Sequence, residues 1–255
     1  MNRLQDKTAI ITGGAGEIGF AAAQKFVAEG ARVMLVDLDE EGLKKKAGEL
    51  APDRVEYARA DVRQSKDVQA YVQATLDAFG HIDVFFNNAG IEGPVHAIPE
   101  YPEEDFQQVI DVNVRGVFLG MKYVMPHMLE RKSGSIIITS SVAGLTGNPG
   151  MVAYITSKHA VIGIMRTAAA EAAGQGVRVN TVHPGVIDSR MMESLEKGMN
   201  PDDPGSVHEA FSQQVPLGRY GKEEEIAQLV TFLASDEASY VTGSLYVADG
   251  GLTIS

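Results

Sequence analysis

Runs of β-branched and apolar residues alternate with longer helical patterns along the whole chain. "TAIIT" precedes a helical pattern over 18–29, "RVMLVD" one over 40–50, "RVEYARAD" one over 65–79, and "IDVFFN" one over 103–131. "SIIITS" leads into 151–173, "VRVNTV" into an irregular stretch, and "SLYVADGG" closes the series. Strand followed by helix, repeated, requires a parallel sheet with helices on both faces, since each parallel crossover places its helix over the sheet. The expected fold class is α/β, a doubly wound parallel sheet forming a single domain over 1–255. Right-handed crossovers and a reversal of strand order put the ligand crevice at the carboxyl ends of the strands. The irregular stretch from 184 to 219 is too long for a plain connection, so a substrate loop with short helices of its own is expected at about 186–219.

Composition narrows the function classes. The chain has 255 residues, 44% hydrophobic and 22% charged, enough for one large core without a disulfide or metal staple. It has no cysteine, which removes thiolate nucleophiles and cysteine-based metal sites. The opening "MNRLQDKTAIIT" lacks a signal-peptide core, and no segment approaches the roughly 20 apolar residues of a membrane span. A soluble, cytoplasmic protein with no membrane partner is expected. A net charge of −12 with no basic run opposes nucleic acid as a partner.

Glycines 14, 16 and 19 follow the first strand in the general dinucleotide pattern G-x-G-x-x-G, and Asp37 ends the next strand where a carboxylate can accept from an adenosine ribose. Further on, "NNAG" (87–90), "DVN" (111–113), "SSVAG" (140–144), "YITSK" (154–158) and "HPGV" (183–186) occur in that order. With "TGGAGEIG" this set resembles the short-chain dehydrogenase/reductase family over 7–251, and implies a Rossmann-type fold. The family writes its turn T-G-x-x-x-G-x-G, met by Thr12, Gly13 and Gly19, but Glu17 stands at the middle glycine and Gly16 beside it is read as the compensation. Glu17 is read as a solvent-facing first-turn residue, which a helix N-terminus favours, with Gly13, Gly16 and Ile18 left for the pyrophosphate.

The resemblance also assigns Asp61 and Val62 to the adenine end, and Asn88, Ala89 and Gly90 to the flank of the adenosine ribose. Asp37 opposes a 2′-phosphate, and its neighbours Ala15, Gly16 and Leu38 supply no cation, so the implied cofactor is NAD. Pro184, Gly185, Ile187 and Ser189 are expected at the nicotinamide.

Tyr154 and Lys158 are four apart in a helical pattern and share one face. An unperturbed phenol, near ~10, is a poor base at neutral pH; a nearby ammonium and a cationic nicotinamide would lower it, making Tyr154 a general acid/base. Lys158 would also hold the nicotinamide ribose. The resemblance makes Ser141 the substrate-orienting serine, Ser140 a scaffold residue, and Asn113 the relay of a proton path through water. His183 and His159 have no partners at metal spacing and read as structural, so no metal is expected. "KEEEI" reads as a solvated helix start.

An NAD-dependent oxidoreductase acting on a secondary alcohol or ketone follows. The rivals are a 3-oxoacyl-carrier-protein-type reductase, which the −12 charge and Asp37 oppose, and a noncatalytic NAD-binding sensor, which has no use for Tyr154. Substrate contacts are expected from Ser141, Ala143, Met151, Tyr154, Met191 and Met192, with Glu92, Leu145 and Gly150 as further candidates. Their apolar character, and stretches resembling members that act on cyclic ketones, imply a hydrophobic cyclic or aryl substrate. The resemblance also implies a homotetramer built through 103–131, 151–173 and the last strand.

Overall fold

A computed structural model of the chain describes residues 2–254. Its sheet has seven strands: β1 (Thr8–Thr12), β2 (Arg32–Asp37), β3 (Val55–Arg59), β4 (Val84–Asn87), β5 (Gly134–Thr139), β6 (Val177–Pro184) and β7 (Leu245–Ala248). The spatial order is β3-β2-β1-β4-β5-β6-β7, and every pairing is parallel. The chain leaves β1 towards β2 on one side and returns as β4 on the other, so the switch point lies between β1 and β4.

Two cores arise because successive strand residues face opposite sides. Ala9 and Ile11 of β1, Val33 and Leu35 of β2, and Ile137 of β5 pack under α1 (Glu17–Ala28) and α9 (Glu223–Ala234), against Phe20, Phe26, Val230 and Leu233. Ile10, Met34, Val36, Ile136 and Ile138 pack on the other side against α3 (Ser65–Phe79), α5 (Gly116–Arg131) and α6 (Val152–Ala172), through Tyr71, Val124, Val161 and Met165. Burial on both faces is why the strands read as continuous apolar runs rather than alternating ones. α2 (Glu40–Gly48) covers the β2 to β3 crossover.

The helical pattern over 103–131 is broken. α4 (Glu103–Ile110) passes through a π-helical turn at Asp111–Arg115 before α5 resumes. The wider turn carries Asn113 inward, where it is 1% exposed. The stretch after β6 folds as α7 (Arg190–Met199) and α8 (Pro204–Gln214), each with a side-chain cap: Ser189 accepts from Met192 N, and Asp203 from Ser206 N. "KEEEI" forms the first turn of α9, where the Glu225 carboxylate accepts from Lys222 N at 2.8 Å. No helix among the described residues is long and apolar enough to cross a membrane.

Candidate active site

The turn after β1 is built on glycine where sterics require it. Gly13 has φ +68°, and a Cβ there would lie 2.9 Å from Asn88 Nδ2 and 3.1 Å from Ala89 Cα. A Cβ on Gly19, in the first turn of α1, would run into Gly13 O. Gly16 is different: its nearest protein neighbour would be 3.5 Å away, so the protein leaves that side of the turn open. Gly14 is tight as well, with a Cβ 3.1 Å from the Leu35 side chain and 3.2 Å from Val36 N, but the left-handed backbone falls at Gly13, the position of the family register.

Thr12 and Asn88 stitch this turn to the sheet. Thr12 Oγ1 accepts from Asn88 N and Ala89 N at 2.9 and 3.1 Å. The Asn88 amide donates to Thr12 O at 3.2 Å and accepts from Thr139 Oγ1 at 2.9 Å, joining the ends of β1, β4 and β5. Asp37 Oδ1 accepts from Leu38 N and Asp39 N, and Oδ2 from Ala15 N. Glu17 is exposed, as its sequence position suggested, yet its Oε1 accepts from Arg190 N at 3.4 Å and so reaches the start of α7.

These groups line a cleft of about 690 Å³ that runs along the carboxyl ends of the strands. Gly13, Gly16, Glu17, Ile18, Asp37, Asn88, Ala89 and Gly90 line it, as do Pro184, Gly185, Ile187 and Ser189. Three of the residues expected at the cofactor or on its proton path do not. Asp61 is clamped by the Arg63 guanidinium at 2.8–3.1 Å, which holds its carboxyl below the usual range, and Val62 packs beneath Gly116. Asn113 lies behind the wall: its Oδ1 accepts from Ile91 N, and its Nδ2 donates to Ile91 O and Ser157 Oγ, each at 2.9 Å. A Cβ on Gly90 would sit 3.3 Å from Asn113 Oδ1 and 3.5 Å from Lys158 Nζ, so this glycine separates the two polar groups.

Helical spacing brings Tyr154 and Lys158 to one face of α6, 8% and 4% exposed. The Lys158 ammonium donates to Thr139 O at 3.0 Å and lies 5.4 Å from the Tyr154 ring centroid. Burial lowers Lys158 to about 8. For Tyr154 the protein's own groups act against the lowering expected from the sequence. Burial pushes the phenol up to about 12; the Ser141 hydroxyl pulls it down, and the Glu92 carboxylate adds to the rise.

Ser141 sits in extended backbone at the end of β5; its Oγ accepts from Ala143 N at 3.2 Å and donates to Pro184 O at 3.4 Å. Ser140 Oγ donates to Lys158 O at 2.9 Å, and a Cβ on Gly144 would press on both, so a bare glycine lets α6 seat against this turn. His183 is fully buried. Its Nδ1 donates to Ser141 O at 2.9 Å, leaving Nε2 to accept from Thr181 Oγ1 at 2.8 Å, and burial lowers its pKa. His159 Nδ1 bonds its own helix, at Ile155 O. No group of three potential metal ligands occurs among the described residues.

Beyond Tyr154 the cleft becomes apolar. Ala143, Met151, Met191 and Met192 line it, as the sequence suggested, and the Tyr154 hydroxyl donates towards Met191 Sδ at 3.9 Å. Leu145 is exposed, Gly150 backs onto Val95, and Glu92 pairs with Arg190 at 3.1 Å; none of the three lines the cleft. Sequence reading missed Asp39, Arg190, Leu195, Met199, Phe211, Leu252 and Thr253. The one available signal was amphipathic spacing: Met191, Leu195 and Met199 recur every four residues on one face of α7.

A doubly wound sheet with this glycine turn, and a Ser, Tyr and Lys gathered at its crevice, defines an oxidoreductase of the Rossmann class. The family model described as enoyl-(acyl carrier protein) reductase matches residues 13–253, and the chain belongs to the short-chain dehydrogenase/reductase family. It is 43% identical to a levodione reductase of Leifsonia aquatica over 98% of this chain and 95% of that one. It is 42% identical to a 3-oxoacyl-[acyl-carrier-protein] reductase of Thermotoga maritima over 99% and 100%, and 37% identical to a cyclohexanol dehydrogenase of Acinetobacter sp. over 99% and 97%. The crystal structure of an NAD+-bound xylitol dehydrogenase superposes with a TM-score of 0.92 at 35% identity, over 98% of this chain and 100% of that one.

Proposed function

We propose that the protein is an NAD-dependent dehydrogenase of a hydrophobic cyclic or aryl secondary alcohol, working also as reductase of the matching ketone. The observation that carries this reading is the buried Tyr154 hydroxyl, with Lys158 behind it, Ser141 beside it and a methionine-rich wall in front. The cleft suits the cofactor by its own chemistry: a tight turn that bare glycines at 13 and 19 make possible, open on the cleft side at Gly16, and an Asp37 carboxylate pinned at the end of β2. Near that end Glu17, Asp37 and Asp39 are all acidic, and among the described lining residues the cations are Lys158 and Arg190. A 2′-phosphate would meet carboxylates there, which favours NAD over its phosphorylated form.

When bound, the nicotinamide accepts a hydride from the alcohol carbon or returns one to the ketone carbon. The chain's part is proton transfer and orientation. Ser141 Oγ holds the reacting oxygen by one hydrogen bond, and Tyr154 Oη takes the hydroxyl proton in oxidation or donates it in reduction. Lys158 places positive charge beside the phenol and favours its ionised form. Asn113 supports the loop that carries Ile91 and Gly90. Met151, Met191, Met192 and Leu195 give an adaptable apolar wall suited to a ring. The name of the cyclohexanol dehydrogenase points the same way.

A second reading, reduction of acyl chains on a carrier protein, draws on the Thermotoga relative and the family description. The −12 charge weighs against docking an acidic carrier. A rate survey of secondary alcohols and ketones, cyclic and linear, with NAD+ or NADH and again with the phosphorylated cofactor, tests the proposal. Preference for a carrier-linked acyl substrate would overturn it. The proposal includes a cytoplasmic setting and a homotetramer, the latter supported by Phe118 on α5, 51% exposed, and Val247 on the edge strand β7.

A further inference from the structure

Arg190 is the first residue of α7 and ties this helix to two distant parts of the chain. Its guanidinium pairs with the Glu92 carboxylate at 3.1 and 3.5 Å, and its backbone N–H donates to Glu17 at 3.4 Å. Glu92 lies in the loop after β4 and is nearly buried, whereas the Arg190 side chain is 64% exposed. A nearly buried carboxylate depends on its partner, because the low-dielectric surroundings magnify an unpaired charge. Glu92 is also the carboxylate that opposes ionisation of Tyr154. The remaining groups around Tyr154 are Lys158 on the same helix, the neutral Ser141 hydroxyl, the Met191 thioether, and His183 behind Ser141, kept neutral by burial.

We propose that the Glu92–Arg190 ion pair is a positioning element for the proton-transfer step: by seating on Glu92, Arg190 docks α7 over the substrate and shields Tyr154 from the Glu92 charge. Lid docking and readiness of Tyr154 to lose a proton are then one event. This rests on the reading of Tyr154 as the proton-transfer group. The two halves of the pair act in opposite directions on Tyr154. Removing Glu92 removes the charge that resists phenolate, while removing Arg190 leaves that charge unshielded. A clasp without electrostatic effect would open equally whichever half was lost.

The test is the pH dependence of kcat/KM for an alcohol at saturating NAD+, in the unaltered enzyme, Glu92→Gln, Arg190→Met, the double variant and Tyr154→Phe. Glu92→Gln should lower the pH midpoint by about half a unit or more, Arg190→Met should raise it by a similar amount, and the double variant should follow Glu92→Gln. The same order should hold without turnover, in phenolate absorbance of the cofactor-free proteins taken as the difference from Tyr154→Phe. Shifts of the two single variants in the same direction, or no shift while Tyr154→Phe is inactive, would overturn the proposal. A Tyr154→Phe enzyme that kept its turnover would instead overturn the reading beneath it.

Discussion

The Ala15 amide donates to Asp37 Oδ2 at 3.1 Å, so the carboxylate that ends β2 also holds down the glycine turn that follows β1. On the proposed reading one side chain would serve affinity and selectivity together. NADH should exceed NADPH by at least ~10-fold in kcat/KM, about 1.4 kcal/mol of discrimination. Asp37→Ala should narrow that gap and also weaken NADH itself, because three backbone donors lose their acceptor. Steady-state kinetics with both cofactors checks this; equal use of the two by the unaltered enzyme would sink it.

Tyr154→Phe keeps the ring and deletes the exchangeable proton, so turnover should fall by ~10²–10⁴ while NADH binding, followed by fluorescence titration, is largely kept. The pH dependence has a definite sign. Oxidation needs the phenolate and Tyr154 is pushed up to about 12 by burial, so the oxidation rate should climb as pH rises and the reduction rate should fall. An oxidation rate that declined with rising pH would assign the proton to another group.

Much of this site could be read before the fold was seen, for physical reasons that also explain what could not. Strands buried on both faces leave apolar runs such as "AIIT" and "SIII", and a Tyr and Lys four apart must share a helix face. Arg190 gave no such signal, because its partners Glu92 and Glu17 lie 98 and 173 residues away and meet it only through the fold. Leu252 and Thr253 reach the cleft from the tail beyond β7, and no local pattern marks them. Asp61 shows the converse: its motif was legible, but only the fold shows that an arginine two residues on engages its carboxylate.

Arg3 and Glu29 test stability rather than catalysis. Arg3 donates three hydrogen bonds to the nearly buried Glu29 carboxylate, at 2.7–3.1 Å, and holds its pKa down at about 2. A folded value below the unfolded one, ~4.3, stabilises the protein above the unfolded pKa, and that contribution is lost as pH falls towards 2. Arg3→Met should destabilise by on the order of 1–2 kcal/mol at neutral pH, because Lys25 at 3.7 Å stays as a weaker partner. Its thermal stability should depend less on pH between ~4.5 and ~2 than that of the unaltered protein. Parallel pH curves in melting experiments would refute this account.

Assembly is read from α5 and β7. Phe118 stands half exposed on a helix whose opposite face is core, and β7 is the edge strand of the sheet among the described residues. Light scattering should give four times the chain mass at micromolar concentration, and Phe118→Glu should lower it. A monomer at that concentration would reject the tetramer.

The turn offers the sharpest separation of the two glycine registers. Under the general pattern, Gly14 and Gly16 would carry the turn and Glu17 would be incidental. Under the family register, Gly13 takes the left-handed backbone and Glu17 occupies a position where glycine would let the pyrophosphate approach. The φ of +68° at Gly13 favours the family register, and Gly16, which the general pattern would need bare, has room for a methyl group; Gly19 serves both registers. Gly13→Ala should therefore weaken NADH binding by about tenfold or more, since it strains the backbone and presses on Asn88. Gly16→Ala should leave the fold intact. Glu17→Gly removes an exposed carboxylate that accepts from the Arg190 amide, and it costs at most ~1 kcal/mol of helix propensity at the first position of α1. With a negative charge gone from beside the phosphates, NADH affinity measured by calorimetry should be unchanged or improved. A tenfold loss in Glu17→Gly would mean that the carboxylate, through its hold on α7, is needed to keep the cleft in shape for the cofactor.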